Sequence, residues 1–559
     1  MSSFSKRYLL LLEKCKNMKH IKQAHAQVIT CGLENNSFAL SRVLAFFSSN
    51  THHNSLTYAW KIFERINQPT ICIYNTIIKT FLLHNELTSI ICLFTDMLHN
   101  GLIPDNYTIP CALKGCTGLK SYPLGKSIHG YSLKLGFMFD LFVGNSSMAM
   151  YCVSGDMRSA RQVFDEMPCL SSVSWTIMIS GYTKVGDVDT ARFFFDESSE
   201  KDKGIWGAMI SGYVQNNCFK EGLYLFCLMQ MNDIAPDESI FVSILPACAH
   251  LGALDVGIWI HRCLNQTRMP MSIRLGTSLL DMYAKCGHLD LAKRLFESMS
   301  QRDTICYNAM ISGMAMHGEG ENALKLFLDM EKAKIKPDDL TFLAVFSACS
   351  HGGMARDGLK FLDKMINVYN IDPKAEHYNC LVDLLSRSGL FEEAKVMIRR
   401  ISHCSSNGSA QEAWAWRAFL SACCNHEEVR MAEAAAERLF FMENHRSVTS
   451  NSLITASLEI KDWNSNPDQS EINQNILENS SGVYVMLSNL YSAVGKTSDA
   501  RRVREMMKKK GAHKAPGCSS VQVDGILNEF IAGEKTHPQM EEIHRVLKKI
   551  HLHISELEI

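Results

Sequence analysis

One spacing of apolar positions recurs along the chain: a small or apolar residue, followed by apolar residues three, four and seven places later. It reads Ala59-Ile62-Phe63-Ile66, then Ile90-Leu93-Phe94-Met97 and Ala160-Val163-Phe164-Met167. It returns as Gly222-Leu225-Phe226-Met229, Ala292-Leu295-Phe296-Met299 and Ala323-Leu326-Phe327-Met330. Ala191-Phe194-Phe195 fits with Ser198 in the last place. This spacing puts four side chains on one face of an α-helix. The Phe members stand at 63, 94, 164, 195, 226, 296 and 327, so successive steps are 31, 70, 31, 31, 70 and 31 residues. Each step of 70 contains a divergent unit, at Thr108–Gly136 and at Ile240–Arg268. The chain is a mixed tandem array of short and long units.

An earlier helix precedes the patterned one in each unit, opening Tyr74-Asn75-Thr76-Ile77-Ile78, Trp175-Thr176-Ile177-Met178-Ile179 or Tyr307-Asn308-Ala309-Met310-Ile311. Gly155, Gly186, Gly287, Gly318 and Gly389 follow these first helices where C-cap glycines belong. Pro104-Asp105, Pro236-Asp237 and Pro337-Asp338 close the longer units, with proline stopping the second helix. A lone helical hairpin cannot bury its apolar face, so the units must stack. The expected fold is all-α, an α-solenoid of tandem helix-turn-helix repeats of 31–36 residues with one concave surface. The expected divisions are 1–4 as a short leader, 5–36 as a degenerate unit, and 37–406 as the array. Within the array, units are expected at 37–70, 71–105, 106–140, 141–171, 172–202, 203–237, 238–272, 273–303, 304–338, 339–374 and 375–406.

Composition narrows the function. Lys+Arg number 57 and Asp+Glu 58, a net charge of −1, which excludes a polybasic tail protein but leaves room for a basic groove balanced by acidic outer faces. Hydrophobic residues make up 46% and charged residues 21%, enough apolar content to exclude global disorder. No stretch approaches the ~20 apolar residues of a membrane span, so no membrane partner is expected. Twenty Cys lie scattered and no two stand three apart, so a C-x-x-C zinc or redox pair is missing and reduced intracellular thiols are expected. No P-loop, G-x-S-x-G elbow or dinucleotide fingerprint occurs.

Hairpins of this length also describe tetratricopeptide repeats, but the W-x-x-L-G-x-x-Y signature is missing. The long units carry Leu113-Lys114-Gly115-Cys116 with Ile128-His129-Gly130, and Pro246-Ala247-Cys248 with Ile260-His261. The short units carry Val143-Gly144-Asn145 with Met150-Tyr151, and Leu275-Gly276-Thr277 with Asp281-Met282-Tyr283-Ala284-Lys285-Cys286-Gly287. Later come Ser347-Ala348-Cys349-Ser350-His351 and Glu376-His377-Tyr378 with Val382-Asp383-Leu384-Leu385. These motifs resemble the plant pentatricopeptide repeat family, in its class of alternating standard, long and short repeats. Trp416–Cys423 and Tyr484–Tyr491 look like the two units of that family's E domain, here 413–514, and Pro516-Gly517-Cys518-Ser519 with His537-Pro538-Gln539 like the extension after it, 515–559. Ser520 stands where the extension usually has Trp. Residues 447–480 are rich in Asn and Ser without Gly and read as a flexible insertion or a gene-model artefact.

The resemblance implies a sequence-specific single-stranded RNA-binding protein of a plant organelle, a site-recognition factor for C-to-U editing. Its implied partners are organellar RNA, a DYW-type deaminase acting in trans and multiple organellar RNA editing factor proteins. The same binding could serve splicing or transcript stability, and a tetratricopeptide-like protein-binding scaffold is the rival from another class. The family's usual distribution favours the mitochondrion over the chloroplast, and Lys6 and Arg7 without an acid in residues 1–12 suit a transit segment. Catalytic relatives end in a deaminase-like domain that needs H-x-E and P-C-x-x-C around zinc. H-x-E occurs at His84–Glu86, His317–Glu319 and His426–Glu428, all within repeats or the E domain, and the chain ends at Ile559 soon after the extension. No enzymatic activity, metal or cofactor is therefore expected, and Cys116, Cys248 and Cys349 read as helix-packing residues.

The basic stretch Arg501, Arg502, Arg504, Lys508, Lys509, Lys510 and Lys514 suits either a solvated face or a phosphate contact. The candidate RNA-reading residues are the fifth and last of each unit: Asn75/Asp105, Asn145/Ser171, Thr176/Asp202, Thr277/Asp303, Asn308/Asp338, Asp237 opposite Gly207, and Asn379. Short amides and hydroxyls can donate and accept toward a base edge. N-capping is the competing explanation for Asp at the unit ends. In the family Asn/Asp favours U, Asn/Ser favours C and Thr/Asp favours G, with the protein running N to C along RNA 5′ to 3′. Units 71 to 375 then read U-n-C-G-n-n-G-U-n-Y, with a further n-n-n-C to the edited cytidine. Gly207, Pro110, Val242 and Leu343 leave their places blank.

Overall fold

The structure, a computed structural model, describes residues 17–32, 36–48, 53–267, 271–404, 408–442, 469–509, 518–523, 526–531 and 539–557. The leader at 1–4, the first part of the degenerate unit, residues 447–468 of the insertion, and Lys510 and Lys514 lie outside them. Two compact units, 1–244 and 245–559, are each built from helical hairpins.

In the first unit Ile71–Leu83 turns into Leu87–His99, and Thr108–Gly118 into Tyr122–Lys134. Leu141–Ser154 with Met157–Glu166, Ser172–Lys184 with Val188–Glu197, and Lys203–Gln215 with Phe219–Met231 follow. The second unit repeats the scheme with Ile273–Lys285 and Leu289–Ser298, Thr304–Met316 and Gly320–Lys332, Asp339–Gly352 and Ala355–Asn367, and Ala375–Arg387 with Phe391–Cys404. Each first helix must end sharply to let the second fold back. Gly186 does this at φ 87°, and Asn217 occupies the corresponding left-handed place at φ 61°, since Asn tolerates that region better than other non-glycine residues.

The recurring apolar face is the core. Ile90, Leu93, Phe94 and Met97 are buried, as are Gly222, Leu225, Phe226 and Met229. Ser198 fills the Met place by donating its hydroxyl to Phe195 O at 2.7 Å, which satisfies a buried polar group locally. Successive hairpins are joined by aromatic pairs at a fixed offset. Phe63 meets Tyr74, Phe164 meets Trp175, Phe195 meets Trp206 and Phe296 meets Tyr307, edge to face with centroids 4.9–5.2 Å apart. The short units that follow a long one, 141–171 and 273–303, have glycine where these have Tyr or Trp, and a methionine fills the space: a β-carbon on Gly144 would lie 2.6 Å from Met167 Sδ, and one on Gly276 2.8 Å from Met299 Cε. Cys116, Cys248 and Cys349 are buried, and burial pushes the Cys116 and Cys349 thiols up to about 11 and about 12. They pack as small apolar residues.

The C-terminal region adds four findings to the expected divisions. The helix Gly408–Asn425 starts before residue 413, because Ala413 and Ala415 continue an apolar face that buries Phe419 against Phe391, centroids 5.6 Å apart. The helix Gln469–Ala493 begins inside 447–480, where Ile472 and Ile476 already carry helical spacing into Val483, so the last part of the expected insertion is helical. The helix 429–442, which follows the first E-domain motif, packs on the second: Phe440 lies 4.7 Å from Tyr484 between ring centroids, and Tyr491 donates to Glu433 at 2.7 Å. Strands Cys518–Val523 and Ile526–Ile531 pair as an antiparallel hairpin, an addition to the all-α array. The Asp524-Gly525 dipeptide between two runs rich in β-branched and aromatic residues is the signal for it.

Candidate nucleic-acid interface

Along each first helix the fifth residue shares a face with the ninth and thirteenth. In the compact unit 1–244 these positions from two successive first helices line one open cavity of about 350 Å³, Thr176, Ser180 and Lys184 with Gly207, Ser211 and Gln215, and the next first helix adds Ser239, Ile240 and Ser243. Of the candidate reading residues, Thr176 and Asp237 line this cavity.

Their local geometry recurs. Asn75 donates its amide to both carboxylate oxygens of Asp105, at 3.0 and 2.9 Å, while Thr108 donates its hydroxyl to Asn75 Oδ1 at 2.5 Å. Asn308 donates to Asp338 at 3.0 Å and accepts from Thr341 at 2.6 Å. The same aspartates hold the next helix: Asp105 accepts from Thr108 N at 2.9 Å and Asp338 from Thr341 N at 2.8 Å. Burial alone would raise the Asp105 pKa, but bonds from the Thr108 and Tyr107 N–H groups, the Thr108 hydroxyl and Asn75 outweigh it and hold the carboxylate below its ordinary value. An ionised carboxylate only accepts, so the amide nitrogen must point to Asp and the oxygen to Thr. One amide N–H and one lone pair are left for the groove.

The other pairs are built differently. Asn145 accepts from Ser174 at 2.7 Å, and Ser174 in turn lies 3.2 Å from Ser171, so this pair is linked through a third hydroxyl. Thr176 and Thr277 donate to Ser172 O and Ile273 O within their own helices, each at 2.8 Å. Asp202 and Asp303 cap the next helices through Ile205 N and Cys306 N, at 3.0 and 2.9 Å, and no bond joins either to its threonine among the described residues. Thr277 Oγ1 also lies 2.8 Å from Cys306 Sγ, so the acceptors these pairs leave open are the Asp202 and Asp303 carboxylates and Thr176 Oγ1. Asp237 caps Ile240 N at 3.0 Å beside Gly207. Asn379 has a buried Oδ1 without a partner among the described residues, and residues 405–407 beyond its unit lie outside them.

A second row of residues was missed in the sequence. Tyr107, Phe142, Val173, Ile305 and Leu340 are 73, 70, 54, 63 and 57% exposed, and each stands three places before a fifth residue. That is one helical turn, so each exposed apolar side chain neighbours a reading place. The detectable signal was an apolar residue at the second place of the unit, where a first helix should turn a polar face to water. Lys79, Lys114 and Lys184 lie exposed one or two turns beyond the reading places of their helices.

The H-x-E histidines are structural. His84 Nδ1 lies 2.9 Å from Thr80 O, His317 Nε2 2.7 Å from Ala284 O and His426 Nε2 3.0 Å from Arg387 O, while Glu319 pairs with Lys293 at 2.7 Å. On the basic helix Thr497–Lys509, Arg502 pairs with Asp499 at 3.2 Å and Arg504 donates to Ser488 at 2.8 Å, which commits part of the charge to the fold.

The family model described as "PPR repeat family" matches residues 69–118 and 302–351, and "PPR repeat" matches 145–171, 173–202, 204–234, 277–303, 340–368 and 376–406. "E motif" matches 470–522. The chain is 36% identical to the putative pentatricopeptide repeat-containing protein At5g59200, chloroplastic, of Arabidopsis thaliana, over 98% of this chain and 92% of that one. It is 32% identical to the pentatricopeptide repeat-containing protein At2g22410, mitochondrial, of the same plant, over 96% of this chain and 88% of that one. Among solved structures it is similar to the pentatricopeptide repeat protein PPR10 from maize, with 15% identity, a TM-score of 0.49, and coverage of 90% of this chain and 78% of that one. This chain belongs to the pentatricopeptide repeat family, in the subgroup that carries an E motif.

Proposed function

We propose that the chain binds single-stranded RNA of a plant organelle, one base per unit, and directs C-to-U editing by recruiting a deaminase in trans through its E-motif region. The observation that carries this reading is the Asn–Asp–Thr cluster at Asn75 and again at Asn308, which fixes an amide in one orientation. Such an amide offers a donor beside an acceptor and matches uracil, whose N3–H neighbours a carbonyl. The acceptor-only pairs Thr176/Asp202 and Thr277/Asp303 match guanine, which presents N1–H and N2–H together. The exposed row Tyr107, Phe142, Val173, Ile305 and Leu340 supplies apolar surfaces on which bases stack. Exposed Lys79, Lys114 and Lys184 supply charge for the phosphates.

The expected target is U-n-C-G-n-n-G-U-n-Y-n-n-n-C, and the mitochondrion is the proposed compartment. Thr277→Asn supplies the deciding experiment. It replaces a hydroxyl with a donor–acceptor amide and moves preference at that place from G toward a pyrimidine, with about 1–3 kcal/mol at stake by analogy with base readout in DNA. Gel shifts with all four bases at that place measure it, and an unchanged preference refutes the register. In plants lacking the protein, sequencing of organellar transcripts should find unedited cytidines downstream of this motif, restored by the full chain.

A further inference from the structure

The last helix of the described residues, Met540–Leu557, carries Met540, Ile543, Leu547, Ile550, Ile554 and Leu557 at alternating spacings of three and four. That alternation is the narrow seam of a coiled coil, distinct from the broader stripe of a helix that faces a core. Over 18 residues the seam runs about 27 Å. Glu541, Glu542, Arg545, Lys548, Lys549 and Glu556, all the acidic and basic residues of the helix apart from its histidines, lie off the seam. The places beside it hold His544, Val546, His551 and His553. None of residues 539–549 is buried, and Leu547, at the middle of the row, is 55% exposed. The described residues of one chain thus leave the centre of the seam facing water.

We propose that this helix pairs antiparallel with the same helix of a second copy of the chain. The seats match themselves about a two-fold axis beside Lys548 and Lys549. Met540 then meets the partner's Leu557, Ile543 the partner's Ile554, and Leu547 the partner's Ile550, so every seat of the seam is filled on both sides. A parallel pair would set Leu547 and Ile550 at the first and second seats of one heptad, an order that favours three or four strands over two. Antiparallel pairing also brings opposite ends of the two helix dipoles together. Charges beside the seam are what select one partner over another in such helices. Here those places carry no Lys, Arg, Asp or Glu, so nothing turns a second copy away and nothing designates a different helix.

Analytical ultracentrifugation of the full-length chain without RNA, over a range of micromolar concentrations, tests the pairing. The expected mass is twice the 62.9 kDa of one chain. Leu547→Glu should raise the dissociation constant of the dimer about tenfold or more, because it sets a carboxylate against the partner's Ile550. Leu547 is largely exposed in the single chain, so this variant should melt as the parent does. Orientation is read from mixtures. Ile543→Lys and Ile554→Glu chains, each monomeric alone, should pair when mixed, whereas Ile543→Lys with Ile543→Glu should not. A chain that stays monomeric throughout the range assigns the seam to a different partner and overturns the proposal. A dimer that Leu547→Glu leaves intact places the contact elsewhere and overturns it too. Pairing of Ile543→Lys with Ile543→Glu, and not with Ile554→Glu, overturns the antiparallel register.

Discussion

Replacing Thr341 by Val separates helix capping from base reading, the two roles open to the Asn308 cluster. Thr341 is fully buried, and Val matches its shape, so packing is retained. The hydroxyl accepts from Asp338 N at 3.0 Å and donates its single proton toward Asn308 Oδ1 at 2.6 Å or Asp338 Oδ1 at 2.8 Å. Its loss therefore removes about two hydrogen bonds, and at ~0.5–1.5 kcal/mol each the fold should weaken by about 1–3 kcal/mol. Asn308 keeps its bond to Asp338 but loses the anchor on its oxygen. Freeing one side chain that must then be ordered on binding costs about 0.5–1.5 kcal/mol, so affinity for RNA with U at that place should fall about 2- to 13-fold. Fluorescence anisotropy with U, C, A and G there, beside thermal melts by circular dichroism, measures both effects. Thr341→Ser keeps the hydroxyl and should retain the discrimination. A Val variant that melts earlier yet discriminates as well as the parent would show that the cluster only caps its helix.

Other expectations follow from the packing and the titrating groups. His129 and His261 face the Tyr151 and Tyr283 hydroxyls at 3.1 and 2.9 Å, and burial lowers both imidazole pKa values. A lowered folded value means stability that is present above the ordinary histidine range and is lost as pH falls through it. Melting temperature should therefore drop between pH 7.5 and 5.5, with a shallower slope in a His129→Gln/His261→Gln double variant, and equal slopes reject the assignment. Gly186→Ala, at φ 87°, should cost about 1 kcal/mol, read from chemical denaturation. A chain stopped after Cys404 should keep most of its RNA affinity but fail to restore editing in a mutant plant, and full restoration would remove the E-motif region from recruitment. The purified chain should hold no stoichiometric zinc by metal analysis and should leave a target RNA unedited on its own.

The array was legible because its signal is redundant. Each of Phe63, Phe164, Phe195 and Phe296 repeats one helical face and also meets an aromatic eleven residues later, so the period and the stacking partner are written together. The reading places were legible as positions but not as geometry. Asn75 is bonded directly to Asp105, whereas Asn145 reaches Ser171 only through Ser174. In both cases a third-place hydroxyl of the next unit, Thr108 or Ser174, donates to the Asn oxygen, a contact made between units that the pairing of fifth and last residues does not reveal. The hairpin Cys518–Val523 and Ile526–Ile531 is marked in the sequence only by Asp524-Gly525, a weak local signal beside the helical periodicity of the rest of the chain. The early start of the helix Gln469–Ala493 was hidden by a polar composition that concealed two well-spaced isoleucines.

The glycine seats that receive methionines also impose an assembly grammar on the array. Gly144 with Met167 and Gly276 with Met299 are matched inside one short unit. Gly125 takes Met150, and Gly257 takes Met282, from the short unit that follows a long one. The His129–Tyr151 and His261–Tyr283 contacts cross the same junctions. A short cassette can therefore be transplanted whole behind any long one. Placed behind the standard units 71–105 or 304–338, which have Ile90 and Ala323 at that place, its methionine would meet a side chain. Recombining such proteins to read new RNA sequences should succeed when long–short pairs are moved together, and fail most often when they are cut apart.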